Sequence, residues 1–192
     1  MNRIFPAVIS GVILLTLPQA HAAPLPDPAT IAGQTQRAAL VAQLAKAKNE
    51  TEAAQIRDQL EGLRTKAIRP ATLLLVRRAM RELGEEKPGD AIEDFGAALS
   101  LQADVAVLWR LRAQARLAGG DTSGAISDLG VALQHDGEDA ISWQTLATTE
   151  DAAGDDQAAL KAWQRVMELD PQLPGAGKMF EKLRLKAFGR PT

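Results

Sequence analysis

The sequence predicts an all-α solenoid: about three helix-turn-helix units, an amino-terminal helical hairpin and a carboxy-terminal capping helix. Three observations carry this reading. The 192 residues are 46% hydrophobic and 24% charged, enough apolar material to bury a core without disulfide or metal staples. Only 4% are aromatic and none is tyrosine, whereas alanine and leucine abound, a balance that suits closely packed helices better than sheet. Finally, the chain superposes on itself at an offset of 34 residues, without a gap, across three segments.

The elements follow in order. Met1-Asn2-Arg3 gives a short positive start, Ile4 to Leu17 is mostly apolar, and Ala20-His21-Ala22 places small residues where a signal peptidase needs them. Residues 1–22 are expected to be an export leader cleaved after Ala22, with the periplasm as destination in a Gram-negative source. Pro6, Ser10 and Gly11 interrupt an apolar run already short of the about 20 residues that span a bilayer. No Cys follows for a lipid anchor, and no membrane span is expected in the mature chain. Pro24, Pro26 and Pro28 are expected to keep residues 23–30 extended as a linker.

Residues 31–68 read as a helical hairpin. Leu40, Val41 and Leu44 form one stripe, and Ala53, Ile56, Leu60 and Leu63 another. Asn49 and Glu52 between them fit a capping box, and Arg69-Pro70 closes the pair. The hairpin is expected to cap the amino-terminal end of the array. At the other end, Met179, Phe180 and Leu183 form the apolar stripe of a capping helix within residues 174–192, with Lys178, Glu181, Lys182, Arg184 and Lys186 outside it.

The repeat occupies residues 72–173. Ala91 to Leu99, Ala125 to Leu133 and Ala159 to Met167 align; so do Ala79, Ala113 and Ala147, as well as Trp109 and Trp143. Gly120 and Gly154 are placed to end first helices in a left-handed conformation, and Asp121 and Asp155 to cap second helices. This pattern resembles the tetratricopeptide repeat. The last unit carries its signature best, in Trp143, Leu146, Ala147, Ala159, Trp163 and Pro171. The other units depart from it, with Arg78 and Arg112 at the Leu position and Ala103 and Gly137 at the Pro position. All three units place a charge, Glu82, Arg116 or Glu150, where the family tends to have an aromatic.

Chemistry finds little to work with. A formal net charge of -2 gives no footprint for nucleic acid, and no Cys and only two His remain for nucleophilic, metal or acid/base roles. His135 ends a helix, where a cation complements the dipole. Asp136, Glu138 and Asp139 lack the ligand spacing of a calcium loop and read as turn and cap residues. Glu85-Glu86 and Asp155-Asp156 lie in turns between helices. Gly119 to Gly124 is Gly-rich but lacks the Lys-Ser/Thr and the preceding strand of a phosphate-binding loop, so it is a repeat turn. No enzyme activity, cofactor or metal is expected.

Function then has to come from surface. The family resemblance implies a concave face, lined by first helices, that takes a peptide or protein partner. On that face the sequence places Val76, Met80, Arg110, Gln114, Gln144, Thr148, Lys178 and Lys182. The face is apolar at one end, amide-rich in the middle and basic at the other. It lacks the pattern that clamps a chaperone's terminal carboxylate, having Val76, Met80 and Ile141 in its place. The expectation is a non-enzymatic adaptor of the cell envelope; the alternative is a structural scaffold that self-associates.

Overall fold

The structure, a computed structural model, describes residues 28–189. The expected leader over 1–22 and most of the expected linker lie outside these residues. The described chain forms α-helices joined by short turns, with no strand among the described residues. In order they are α1 (Pro28–Leu44), α2 (Glu50–Lys66), α3 (Pro70–Gly84), α4 (Pro88–Leu101), α5 (Ala106–Ala118), α6 (Thr122–His135), α7 (Ala140–Ala153), α8 (Asp156–Leu169) and α9 (Ala176–Phe188). No helix among the described residues is long and apolar enough to cross a membrane.

From α3 to α9 each helix packs on the next, so that α3/α4, α5/α6 and α7/α8 are the three units and α9 closes the array against α8. Small residues set the spacing. Ala79, Ala91, Ala113, Ala125 and Ala159 are wholly buried, which lets the helices approach while Phe95, Leu129 and Trp163 fill the space between them. Two tryptophans do the same work one unit apart: Trp109 Nε1 donates to the Ala103 carbonyl at 2.7 Å and Trp143 Nε1 to the Gly137 carbonyl at 2.9 Å. Each ties its helix to the turn that enters it.

The turns within units follow the sequence reading. Gly120 (φ 81°) and Gly154 (φ 86°) take the left-handed conformation that other residues resist. Asp121 accepts from the Gly124 N–H at 2.8 Å and Asp155 from the Ala158 N–H at 2.9 Å, capping α6 and α8. A Cβ at Gly124 would collide with the Asp121 carboxylate, so this glycine serves the cap. In the first unit the left-handed position falls to Glu86 (φ 60°). At the start of α2, Asn49 accepts from the Glu52 N–H at 3.0 Å, and the Glu52 carboxylate takes the Lys48 N–H at 2.9 Å.

The departures from the repeat signature prove to be paired. Arg112 donates to both oxygens of buried Asp128, at 2.8 and 2.6 Å, and Arg78 does the same with Asp94. The third unit has Leu146 and Ala162 at these two positions and is held there by apolar packing. Each Arg therefore comes with its own Asp, one helix away. Arg116, at the family's aromatic position, reaches Asp128 at 3.2 Å and the Gly124 carbonyl at 2.8 Å. Burial pushes the carboxyls of Glu82 and Glu150 up from their ordinary range.

Hydrogen bonding from Arg78 holds the Asp94 carboxyl below its ordinary value of 3.8. A carboxylate whose folded value is depressed contributes stability above its unfolded value and loses it as pH falls through the folded one. The thermal midpoint followed by circular dichroism should therefore drop as pH falls below 3.8. Asp94→Asn should flatten that drop while lowering stability at neutral pH. An unchanged slope in Asp94→Asn would remove this pair from the acid response.

Two boundaries differ from expectation. α1 begins at Pro28, inside the stretch expected to be extended, because a helix tolerates proline in its first turn, where the missing N–H has no partner to lose. The larger difference is the hairpin's place. α1 and α2 pair as expected, but they do not cap the amino-terminal end. Instead α2 packs along the edge where the units join, with Leu40, Val41, Leu44, Ala53, Ile56 and Leu60 clustered with Leu169 and touched by Ala140 and Trp143. The end of the array at α3 stays bare, leaving Leu74 66% and Met80 48% exposed.

Candidate functional site

The eight residues expected on the binding face divide into two groups. Met80, Thr148, Lys178 and Lys182 are exposed, and Gln114 and Gln144 are half-buried. Val76 and Arg110 do not line an open face. Val76 is buried in the core of the first unit with Ala79, Phe95 and Leu99. Arg110 is 3% exposed, because α2 crosses α5 above it and Glu61 accepts from its guanidinium at 2.6 Å. For Arg110 periodicity marks the face but not the helix that covers it, and for Val76 it does not separate the face from the core of the unit.

The open part of the face runs from α5 to α9. Gln114 on α5 donates to the Thr145 hydroxyl on α7 at 3.4 Å, which joins neighbouring first helices across the face. Between α7 and α9 lies a cavity of about 360 Å³ lined by Gln144, Trp163, Leu173, Pro174, Met179 and two lysines, Lys178 and Lys182. Its floor is fixed. Trp163 Nε1 donates to the Ala176 carbonyl at 3.0 Å, which locks the indole against the start of α9. Asp151 anchors the rim from α7, taking Lys182 at 3.3 Å and also Lys186, and hydrogen bonding from Lys186 holds its carboxyl below the ordinary range. An apolar floor with a basic, amide-bearing rim suits a segment carrying one apolar side chain beside an acidic group.

A second constellation lies where the units meet the hairpin. Gln102, Asp136 and Asp170 are equivalent residues, each following the second helix of a unit. All three face the hairpin. The Gln102 side chain donates to the Ala67 carbonyl at 2.7 Å and accepts from the Arg69 N–H at 3.0 Å. Asp136 accepts from Arg64 Nε at 2.8 Å and Asp170 from Arg57 at 2.9 Å. Asp139, the cap of α7, lies 3.4 Å from Arg64 and 3.1 Å from Arg110. Asp136, Asp139 and Asp170 are nearly inaccessible. For Asp170, burial pushes the carboxyl up more strongly than Arg57 draws it down.

Asp136 and Asp139 do fill the turn and cap roles expected of them, since Asp139 accepts from the Ile141 N–H at 3.1 Å. Their second role was legible only as a spacing: an acid or amide every 34 residues, and arginines at 57 and 64 on a helix that was expected elsewhere. His135 ends α6 as expected, beside the space of about 840 Å³ between the hairpin and the array. Among the described residues, no group of three His, Asp or Glu side chains is placed to hold a metal ion.

No protein-family model matches the sequence, and no curated protein matches it. Solved structures do. The first tetratricopeptide domain of Spaghetti (RPAP3), bound to an HSP90 peptide, aligns with a TM-score of 0.57 at 21% identity, covering 59% of this chain and 90% of that one. The Sgt2 tetratricopeptide domain from Aspergillus fumigatus aligns with a TM-score of 0.59 at 20% identity, covering 62% and 81%. The Yersinia enterocolitica type III secretion chaperone SycD, in complex with a peptide of the translocator YopD, aligns with 0.56 at 21%, covering 62% and 98%. The chain has the tetratricopeptide-repeat fold, and at these identities the likeness concerns the fold.

Proposed function

We propose that this chain is a non-enzymatic adaptor that holds a peptide or an extended segment of a protein on the face lined by α5, α7 and α9. The observation that carries the reading is the cavity between α7 and α9, with its fixed apolar floor and its exposed Lys178 and Lys182. Two solved structures of the same fold, the RPAP3 domain and SycD, are peptide complexes, which supports the reading. The leader-like residues 1–22 support export, and the partner is then a protein of the cell envelope, met in the periplasm if the source is Gram-negative.

The test uses Lys178→Glu with Lys182→Glu in the mature chain, with partners crosslinked in the native compartment and identified. Both side chains are exposed, so the variant should keep its helical signal and melt close to the wild type. Recovery of the principal partner should fall by about tenfold or more, the cost expected when like charges face each other across an interface. Unchanged recovery would sink the groove reading.

A second reading, self-association, rests on one observation. α3 is left uncovered at the end of the array, and Leu74 and Met80 present apolar surface there. Light scattering after size exclusion decides it: a mass that stays at one chain as concentration rises rejects self-association, and Leu74→Lys should abolish any dimer found.

A further inference from the structure

The edge of the array carries an inference that is independent of the groove between α7 and α9. Three nearly inaccessible carboxylates lie along this edge, Asp136 and Asp139 where α6 passes to α7 and Asp170 after α8. A helix is seated on them. Arg57 and Arg64 of α2 reach Asp170 and Asp136, while Ile56, Leu60 and Leu63 pack beside them against Leu169, Ala140 and Trp143. Seven residues separate the arginines, two turns of helix, so both leave the same side of α2.

The seating is incomplete. Four buried polar side-chain atoms among the described residues make no hydrogen bond, and three of them belong to this contact: Arg37 Nε, Glu61 Oε2 and Arg110 Nε. Arg110 Nε is within ion-pair distance of Asp139 but makes no hydrogen bond to it. Of the pairings between the hairpin and the array, that of α2 with α5 is the broadest, and it is slight beside the contacts within the units. A seat with buried polar atoms left open is weaker than its charge suggests, because each open atom keeps its desolvation cost.

We propose that this acidic edge is a docking strip for a partner helix bearing two arginines seven residues apart beside an apolar stripe, and that α2 is its internal occupant. In the isolated chain α2 keeps the strip covered. A partner helix of the same pattern takes its place, and the displaced hairpin swings away on the short link between Lys66 and Pro70 while α3 to α9 stay folded.

The test uses the full chain and a labelled peptide of residues 49–67 as the probe, read by fluorescence anisotropy. Arg57→Ala with Arg64→Ala in the chain loosens the internal occupant and leaves the carboxylates in place. The probe should bind this variant about tenfold or more tightly than the wild type, and a peptide with both arginines replaced by alanine should bind about tenfold or more weakly than the probe. Equal binding to both chains, or equal binding of both peptides, overturns the proposal. A second measurement stands if the variant does not fold. In the wild type, amide exchange over α1 and α2 should run about tenfold or more faster than over α5 to α8, as a unit that opens by itself. Equal protection of hairpin and repeats overturns the proposal as well. Neither readout involves Lys178 or Lys182, so failure here leaves the groove reading untouched, and failure there leaves this one.

Discussion

Replacing Asp139 by alanine should be among the most damaging single changes in the molecule, costing about 3–5 kcal/mol of folding stability. The residue is 1% exposed and serves four partners. It accepts from the Ile141 N–H at 3.1 Å and from the Ser142 hydroxyl at 2.6 Å, which starts α7. It also lies against two buried guanidiniums, Arg64 and Arg110, each of which keeps a single carboxylate, Asp136 and Glu61 in turn, once it is gone, Arg64 holding the Glu138 carbonyl besides. Loss of the cap alone accounts for about 1 kcal/mol. The remainder comes from charge left in a place water does not reach. Asp139→Asn separates the two, since an amide caps a helix nearly as well as a carboxylate but brings no charge. Urea unfolding with linear extrapolation measures both variants. The expected order is wild type, then Asn, then Ala, and an alanine variant within about 1 kcal/mol of wild type would contradict the role assigned to the two arginines.

The second large effect concerns the ion pair inside the middle unit. Asp128→Ala should destabilise by about 2–4 kcal/mol; breaking a fully buried pair costs more, but Arg112 and Arg116 can each turn part of their length toward water. The informative variant is the double one. Arg112→Leu with Asp128→Ala installs at these positions the residues that the third unit already uses, Leu146 and Ala162. It should recover most of what Asp128→Ala loses, because a buried pair replaced as a whole by packed apolar groups leaves no charge behind. Thermal and urea unfolding of the two variants side by side check this. A double variant as weak as the single one would mean that the units do not accept each other's solutions.

How far the sequence revealed this molecule varies by element. The three units were legible because each is a local structure: the caps at Asp121 and Asp155, the left-handed glycines and the small alanines act within some 34 residues of one another. The accessibility of Lys178 and Lys182 and the partial burial of Gln144 follow from the same local register. The seat of the hairpin was not legible. Arg57 meets Asp170 and Arg64 meets Asp136 across more than seventy residues, and an arginine on an exposed-looking helix face has no periodicity that names its partner. Arg110 is closed off in the same way, because burial by a distant element leaves no trace in local spacing, whereas Val76 turns into the core of its own unit. Arg78 and Arg112 looked like defects in the signature, and only the second helix of each unit shows them to be matched with Asp94 and Asp128.

The way α2 lies across the joins also sets a count. Two of its turns meet Asp170 and Asp136, the link just past its end meets Gln102, one site for every unit, and the two arginines stand about 10 Å apart along the axis, the rise of seven helical residues. A fourth unit inserted ahead of α7 would carry Asp170 past the reach of Arg57, and removal of one would bring it short. The hairpin thus acts as a gauge rod, and growth or shrinkage of the array by duplication or deletion is tied to a matching change in the length of a single helix.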